Sequence, residues 1–164
     1  ADGGPAGIVY TADVVDDQSM AAAVDLAPPP LTAVFHLAGI EATERLADGG
    51  VRFVGHVDRE QLRQLYREAS LFLQPGLEDF GIASVEALAC GTPVVATRCG
   101  GPEEIVTPEV GALVAPDDPG ALAGAIDRVL GERYDPEALR RYALGHFSWE
   151  RIAEKTLDLY REAL

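Results

Sequence analysis

QPGLEDFGIASVEALACGTPVVATRCGGPEEIV, Gln74 to Val106, is the most informative stretch of this 164-residue chain. It opens at the end of an apolar run, Leu71–Gln74, and turns at Pro75-Gly76. It then enters the helical pattern Ala83–Ala89 and closes on a second apolar run, Pro93–Ala96. Two carboxylates, Glu78 and Glu86, stand eight residues apart across the strand-to-helix turn, with Asp79-Phe80-Gly81-Ile82 between them. A glycine lets backbone amides approach a ligand closely, and the helix that follows directs its positive end at the same spot. That arrangement suits a phosphate group, with carboxylates beside it for sugar hydroxyls.

Outward from this stretch the same alternation repeats. The expected strands are Gly7–Ala12, Leu31–Leu37, Val51–Val54, Leu71–Gln74, Pro93–Ala96 and Ala112–Val114. The expected helices are Asp17–Leu26, Glu41–Ala47, Arg59–Ala69, Ala83–Ala89, Pro119–Leu130, Pro136–His146 and Trp149–Ala163. Asp58 and Asp118 are start signals, the latter with Pro119 just inside its helix, and Ser148 is a weaker cap. Pro28-Pro29-Pro30 is a hard break between a helix and a strand. Strand and helix in alternation imply an α/β fold: one doubly wound domain of about six parallel strands with helices on both faces. The usual strand order places strands one and four side by side, and ligands bind outside the carboxyl ends of such a pair. The loops there are Asp13–Ser19 and Pro75–Ile82.

Composition narrows the function. The chain is one domain in size, enough to bury roughly 70% of its unfolded surface. A net charge of -14 argues against nucleic acid or an anionic membrane as a partner. A diphosphate ligand would therefore need locally concentrated positive potential. No apolar run reaches the ~20 residues of a membrane span, and no leader-like pattern opens the sequence. Cys90 and Cys99 lack metal-ligand spacing and are read as reduced and structural, in a cytoplasmic setting. His36, His56 and His146 form no cluster, so no metal site is expected.

From Val51 to Leu164 the chain resembles the C-terminal, nucleotide-sugar-binding half of family 4 retaining glycosyltransferases with the GT-B fold. VRFVGHVDREQLRQLYREASLFLQPG looks like the family's third strand, helix and fourth strand. EDFGIASVEALACGTPVVA looks like its pair of glutamates separated by seven residues, and FSWERIAEKTLDLYREAL like its terminal helix. The resemblance implies a single Rossmann-like domain over residues 1–164, with 1–50 a divergent portion and 51–164 the family-like portion. It implies that Glu78 accepts hydrogen bonds from the donor sugar and acts as the catalytic-site carboxylate, and that Glu86 holds the ribose. The amides of Phe80, Gly81 and Ile82 would face the diphosphate, and Gly55, His56 and Val57 would line the base. No cofactor or required metal is implied; the partner is a nucleotide-diphosphate sugar. The family's N-terminal acceptor domain has no counterpart here. Trp149, Ile152, Ala153, Thr156, Leu157, Tyr160 and Leu164 recur at helical spacing and are expected to cover this domain's own sheet. Otherwise they would form an apolar patch that invites a partner.

The first fifty residues depart from the family. In IVYTADVVDDQS, Ala12-Asp13 stands where the family has Gly-Arg, and Gln18 where it has Lys. Two charge-assisted hydrogen bonds are worth about 3–6 kcal/mol together, acting most strongly where charge develops in the transition state. Arg98, after the fifth strand, is a candidate replacement. The stretch YTADVVDDQSMAAAVDLAPPPLTAVFHLAGI is also similar to the middle of short-chain dehydrogenase ketoreductase domains. It lacks their glycine-rich fingerprint and Tyr-x-x-x-Lys pair. The segment is either a convergent βαβ unit or a foreign piece joined to the domain. The sequence thus reads as a donor-binding domain of a retaining glycosyltransferase, inactive or weakly active alone. The alternative is a degenerate or chimeric non-catalytic module. The double variant Asp13→Arg/Gln18→Lys should raise affinity for a nucleoside diphosphate by roughly tenfold or more, measured by calorimetry. No gain would mean that this loop is not placed as the resemblance implies.

Overall fold

A computed structural model describes strand backbone at residues 8–9, 33–35 and 51–52, and residues 57–163 in full. The strands are β1 (Ile8–Val9), β2 (Ala33–Phe35), β3 (Val51–Arg52), β4 (Leu71–Gln74), β5 (Val94–Thr97) and β6 (Gly111–Val114). The helices are α1 (Arg59–Glu68), α2 (Ile82–Cys90), α3 (Pro102–Ile105), α4 (Pro119–Gly131), α5 (Pro136–Phe147) and α6 (Trp149–Glu162). The strands pair in parallel throughout, in the order β3-β1-β2-β4-β5-β6.

Side chains alternate between the two faces along each central strand, as period-two geometry requires, and both faces are buried. Leu71, Leu73 and Val95 face one side, where Leu122, Ala125, Ile126 and Val129 of α4 cover them. Phe72, Val94 and Ala96 face the other, against Tyr66 of α1, Ala87 and Leu88 of α2, and Leu139 and Ala143 of α5. Helices on both faces make the sheet buried on both sides, which is why β4 and β5 read as continuous apolar runs.

The local start signals are confirmed. Asp58 accepts from the Gln61 amide at 2.9 Å while Gln61 returns a bond to the Asp58 amide, closing a capping box on α1. Asp118 caps α4 through the Ala121 amide, and Ser148 caps α6 through the Arg151 amide. α2 extends one residue beyond the expected helix at each end, and α3 was not anticipated. The expected helices Asp17–Leu26 and Glu41–Ala47 lie outside the described residues.

Two expectations need correction. β4 lies beside β2, not β1, because β1 takes both β2 and β3 as neighbours. Consecutive strands pair directly about two-thirds of the time, and the first two do so here. The strand order now reverses between β2 and β4, so the carboxyl end of β4 remains at the switch point. The loop Asp13–Ser19 lies outside the described residues. Second, α6 does not cover the sheet. Trp149 is 86% exposed, and Ile152, Leu157 and Tyr160 are exposed with it. Both faces of β4–β6 are already occupied by α1, α2, α4 and α5, and α6 packs chiefly against α5 at the periphery.

The packing makes a graded prediction for equilibrium denaturation. Phe72→Ala empties a fully buried position beside Tyr66 and should cost about 3–5 kcal/mol. Asp58→Ala should cost about 1 kcal/mol, the loss of one cap. Equal losses would contradict the central position of β4.

Candidate functional site

At the carboxyl end of β4 the chain must reverse into α2 within the segment Pro75–Gly81. Glu78 closes that reversal. One carboxylate oxygen, Oε1, accepts from the amides of Phe80 and Gly81, each at 3.1 Å. The other, Oε2, accepts from Gln74 Nε2 at 3.1 Å. Gly81 is the N-cap of α2, with φ +73° and no side-chain cap of its own. A Cβ there would come within 2.7 Å of Ile105 Cδ1, so only glycine satisfies both the backbone and the space.

A second loop clamps the first from the neighbouring strand. After β5, Gly101 donates its amide to the Glu78 carbonyl at 3.0 Å. A Cβ on Gly101 would overlap the Phe80 carbonyl, and one on Gly100 the Glu78 carbonyl. Pro102 then opens the short α3, whose Ile105 is buried beneath Gly81. Gly100-Gly101 therefore allows two loops to lie backbone against backbone at one sheet edge.

The expected site residues fall into three groups. Glu78 is half-buried and anchored, whereas Phe80 and Ile82 are exposed at 78% and 66%, with Leu77 exposed beside them. These apolar side chains stand at the rim of the turn and not in the core. Of the three amides expected to face a diphosphate, those of Phe80 and Gly81 donate to Glu78. The Ile82 amide opens α2, where the first N–H groups have no partner within the helix.

Glu86 lies four residues further along α2, exposed, and accepts from Tyr66 Oη at 3.4 Å. Burial, followed by the neighbouring Glu86 charge, pushes the Tyr66 hydroxyl well above the usual phenol range, so it stays a donor. Val57 is half-buried just ahead of α1. Gly55, His56, Asp13 and Gln18 lie outside the described residues, as does most of the stretch resembling reductases.

Arg98 follows β5, exposed, with its amide bonded to the Val114 carbonyl at 2.7 Å. It rises from the same sheet edge as the clamp loop. Cys90 and Cys99 are both free thiols, and burial raises the pKa of Cys90. Among the described residues no group of three or more His, Cys, Asp or Glu could hold a metal ion, and no helix is long and apolar enough to cross a membrane.

Sequence reasoning missed Gln74 and Ser84. Gln74 is the polar residue that ends β4 and is only 9% exposed; Ser84, on the first turn of α2, is fully buried and donates its hydroxyl to Gln74 Oε1. The available signal was a glutamine closing an otherwise apolar strand.

Comparison with known proteins gives this arrangement a context. The family model described as glycosyl transferases group 1 matches residues 40–146. An uncharacterised glycosyltransferase of Methanocaldococcus jannaschii is 37% identical over 120 residues, 70% of this chain and 31% of that protein. A D-inositol 3-phosphate glycosyltransferase of Salinispora tropica is 40% identical over 134 residues, 79% of this chain and 28% of that protein. Among solved structures, sucrose-phosphate synthase from Thermosynechococcus elongatus is similar over 96% of this chain and 45% of its own, with TM-score 0.72 and 31% identity. The matched part thus spans less than a third of these two curated relatives.

The clamp itself can be tested. Gly101→Ala should cost about 1–3 kcal/mol in denaturant unfolding, because backbone must move to admit the methyl group. Gly145→Ala, in α5 with nothing within 4 Å of the added carbon, should instead stabilise by about 0.4–1 kcal/mol. A neutral Gly101→Ala would mean that the two loops are not in contact.

Proposed function

The chain belongs to the glycosyl transferases group 1 family, and from that membership we propose that it is the nucleotide-sugar-binding portion of a retaining glycosyltransferase. The observation that carries this reading is the pair Glu78 and Glu86 on either side of the start of α2, one fixed in the loop and one on the helix face. A diphosphate carries negative charge that the positive end of α2 attracts, beginning at the Ile82 amide. A sugar hydroxyl donates to Glu78 and ribose hydroxyls to Glu86, since carboxylates are pure acceptors when ionised. At 1.5 Å of rise per residue, Glu86 sits about 6 Å along the helix from Ile82, on the nucleotide side of the phosphates. Val57, with Gly55 and His56, lines the base. The short strands β1 to β3 complete a six-stranded Rossmann-like sheet around this edge.

The reaction of the whole protein, on this reading, moves a hexosyl group from a nucleotide-diphosphate sugar to an acceptor hydroxyl with retention. Leaving-group charge is met by helix amides and Arg98. Acceptor contacts come from a further domain, as the greater length of the relatives suggests, and the exposed apolar side of α6 is where that domain docks. The chain alone then binds donor but turns over poorly. A non-catalytic module is the second reading, favoured by Asp13 and Gln18 in place of the family's cations.

Calorimetric titration with UDP, GDP and ADP at low salt distinguishes the outcomes. One nucleotide should bind with Kd in the micromolar to millimolar range, and Glu86→Ala should weaken it about tenfold. No heat with any of the three, from folded protein, would sink the donor-site reading.

A further inference from the structure

Gln74 is a buried amide whose two polar ends are both engaged, and the two contacts determine each other. Its Nε2 donates to Glu78 Oε2 at 3.1 Å, and its Oε1 accepts from the buried Ser84 hydroxyl. An ionised carboxylate only accepts, so Nε2 must face Glu78; a hydroxyl can then donate to the Oε1 that remains. The reverse amide orientation would set oxygen against oxygen. Backbone pairing of Gln74 with Ala96 of β5 fixes where the side chain starts, and α2 fixes Ser84.

We infer that Gln74, oriented by Ser84, is a positioning residue for Glu78 that fixes how this carboxylate meets the donor sugar. The inference rests on the donor-site reading above. Strand β4 holds Oε2 through Gln74, while the turn holds Oε1 through the Phe80 and Gly81 amides. A carboxylate offers about four acceptor positions. With three of them filled, Glu78 retains room for a single sugar hydroxyl, in a direction set from both sides. Gln74 thus contributes to sugar recognition without touching the sugar, and its effect is confined to ligands that carry one.

The test compares each of UDP-glucose, GDP-mannose and ADP-glucose with its own nucleoside diphosphate by calorimetry. It uses the wild-type chain, Gln74→Leu, and the double variant Gln74→Leu/Ser84→Ala. The double variant removes the hydroxyl that Gln74→Leu would leave buried and unpaired, which lowers the folding penalty, and circular dichroism verifies that each variant is folded. The nucleoside diphosphate should bind both variants within about twofold of wild type, whereas the sugar-bearing form should lose roughly fivefold to tenfold, one hydrogen bond to a charged group. An unchanged affinity for the sugar-bearing form in the folded double variant would overturn the role of Gln74. So would an equal loss for both ligands, which marks a purely structural effect. A wild-type chain that binds none of the six probes removes the donor-site reading, and the Gln74 role with it.

Discussion

Two amides, Phe80 and Gly81, converge on a single carboxylate oxygen of Glu78, and the shape of the sheet edge follows from that convergence. Both N–H groups need an acceptor in a turn that offers them no backbone partner in a ladder. A carboxylate satisfies both at once and suits the positive end of the helix that begins one residue later. Its hold on Gln74 ties the turn to the strand, and the Gly101 amide on the Glu78 carbonyl ties it to the next loop. The glycines at 100 and 101 are then consequences, since no side chain fits where these backbones meet, and Gly81 follows from its positive φ beside Ile105.

The same geometry sets an electrostatic problem. The chain is strongly acidic, and α3 adds Glu103 and Glu104 near the clamp. On the donor-site proposal, a diphosphate would depend on fixed dipoles and on local cations such as Arg98 more than on the overall field. A groove of about 670 Å³ lined by Arg67, Arg133, Glu132 and Tyr134 lies at the opposite, amino-terminal ends of β4 and β5. Its arginines are too far along the sheet to assist Glu78. Burial and Glu132 push the Tyr134 hydroxyl there up to about 12, which keeps it protonated across the physiological range.

Much of this was legible in the sequence, for identifiable reasons. β4, β5 and β6 are four-residue, mainly apolar strands covered on both faces, so each could be read to within one residue. Asp58, Asp118 and Ser148 announced their helices because capping is local chemistry. What failed was non-local. Strand order depends on crossovers, and nothing in Ile8–Val9 or Ala33–Phe35 states which neighbour β4 will take. The apolar stripe on α6 is real, but a stripe does not say what covers it, and α3 is too short to show a period. At the site, Glu78 and Glu86 were visible as carboxylates in a turn-and-helix context. The engagement of Phe80 and Gly81 by Glu78 was not, because a glutamate two residues before an amide looks the same whether it binds a ligand or its own backbone. Gln74 escaped notice as the last residue of a strand, although a buried amide there needs partners and found them in Glu78 and Ser84.

The proposed ligand site is the carboxyl-terminal edge of β4, built around Glu78. Backbone amide shifts recorded by nuclear magnetic resonance during addition of a nucleoside diphosphate test it most directly. The largest shifts are expected in the turn and the first turns of α2, from Glu78 to Glu86, with smaller ones in the clamp loop around Gly100. Shifts concentrated instead around Arg67, Gly91 and Arg133, in the groove at the other end of the sheet, would contradict it.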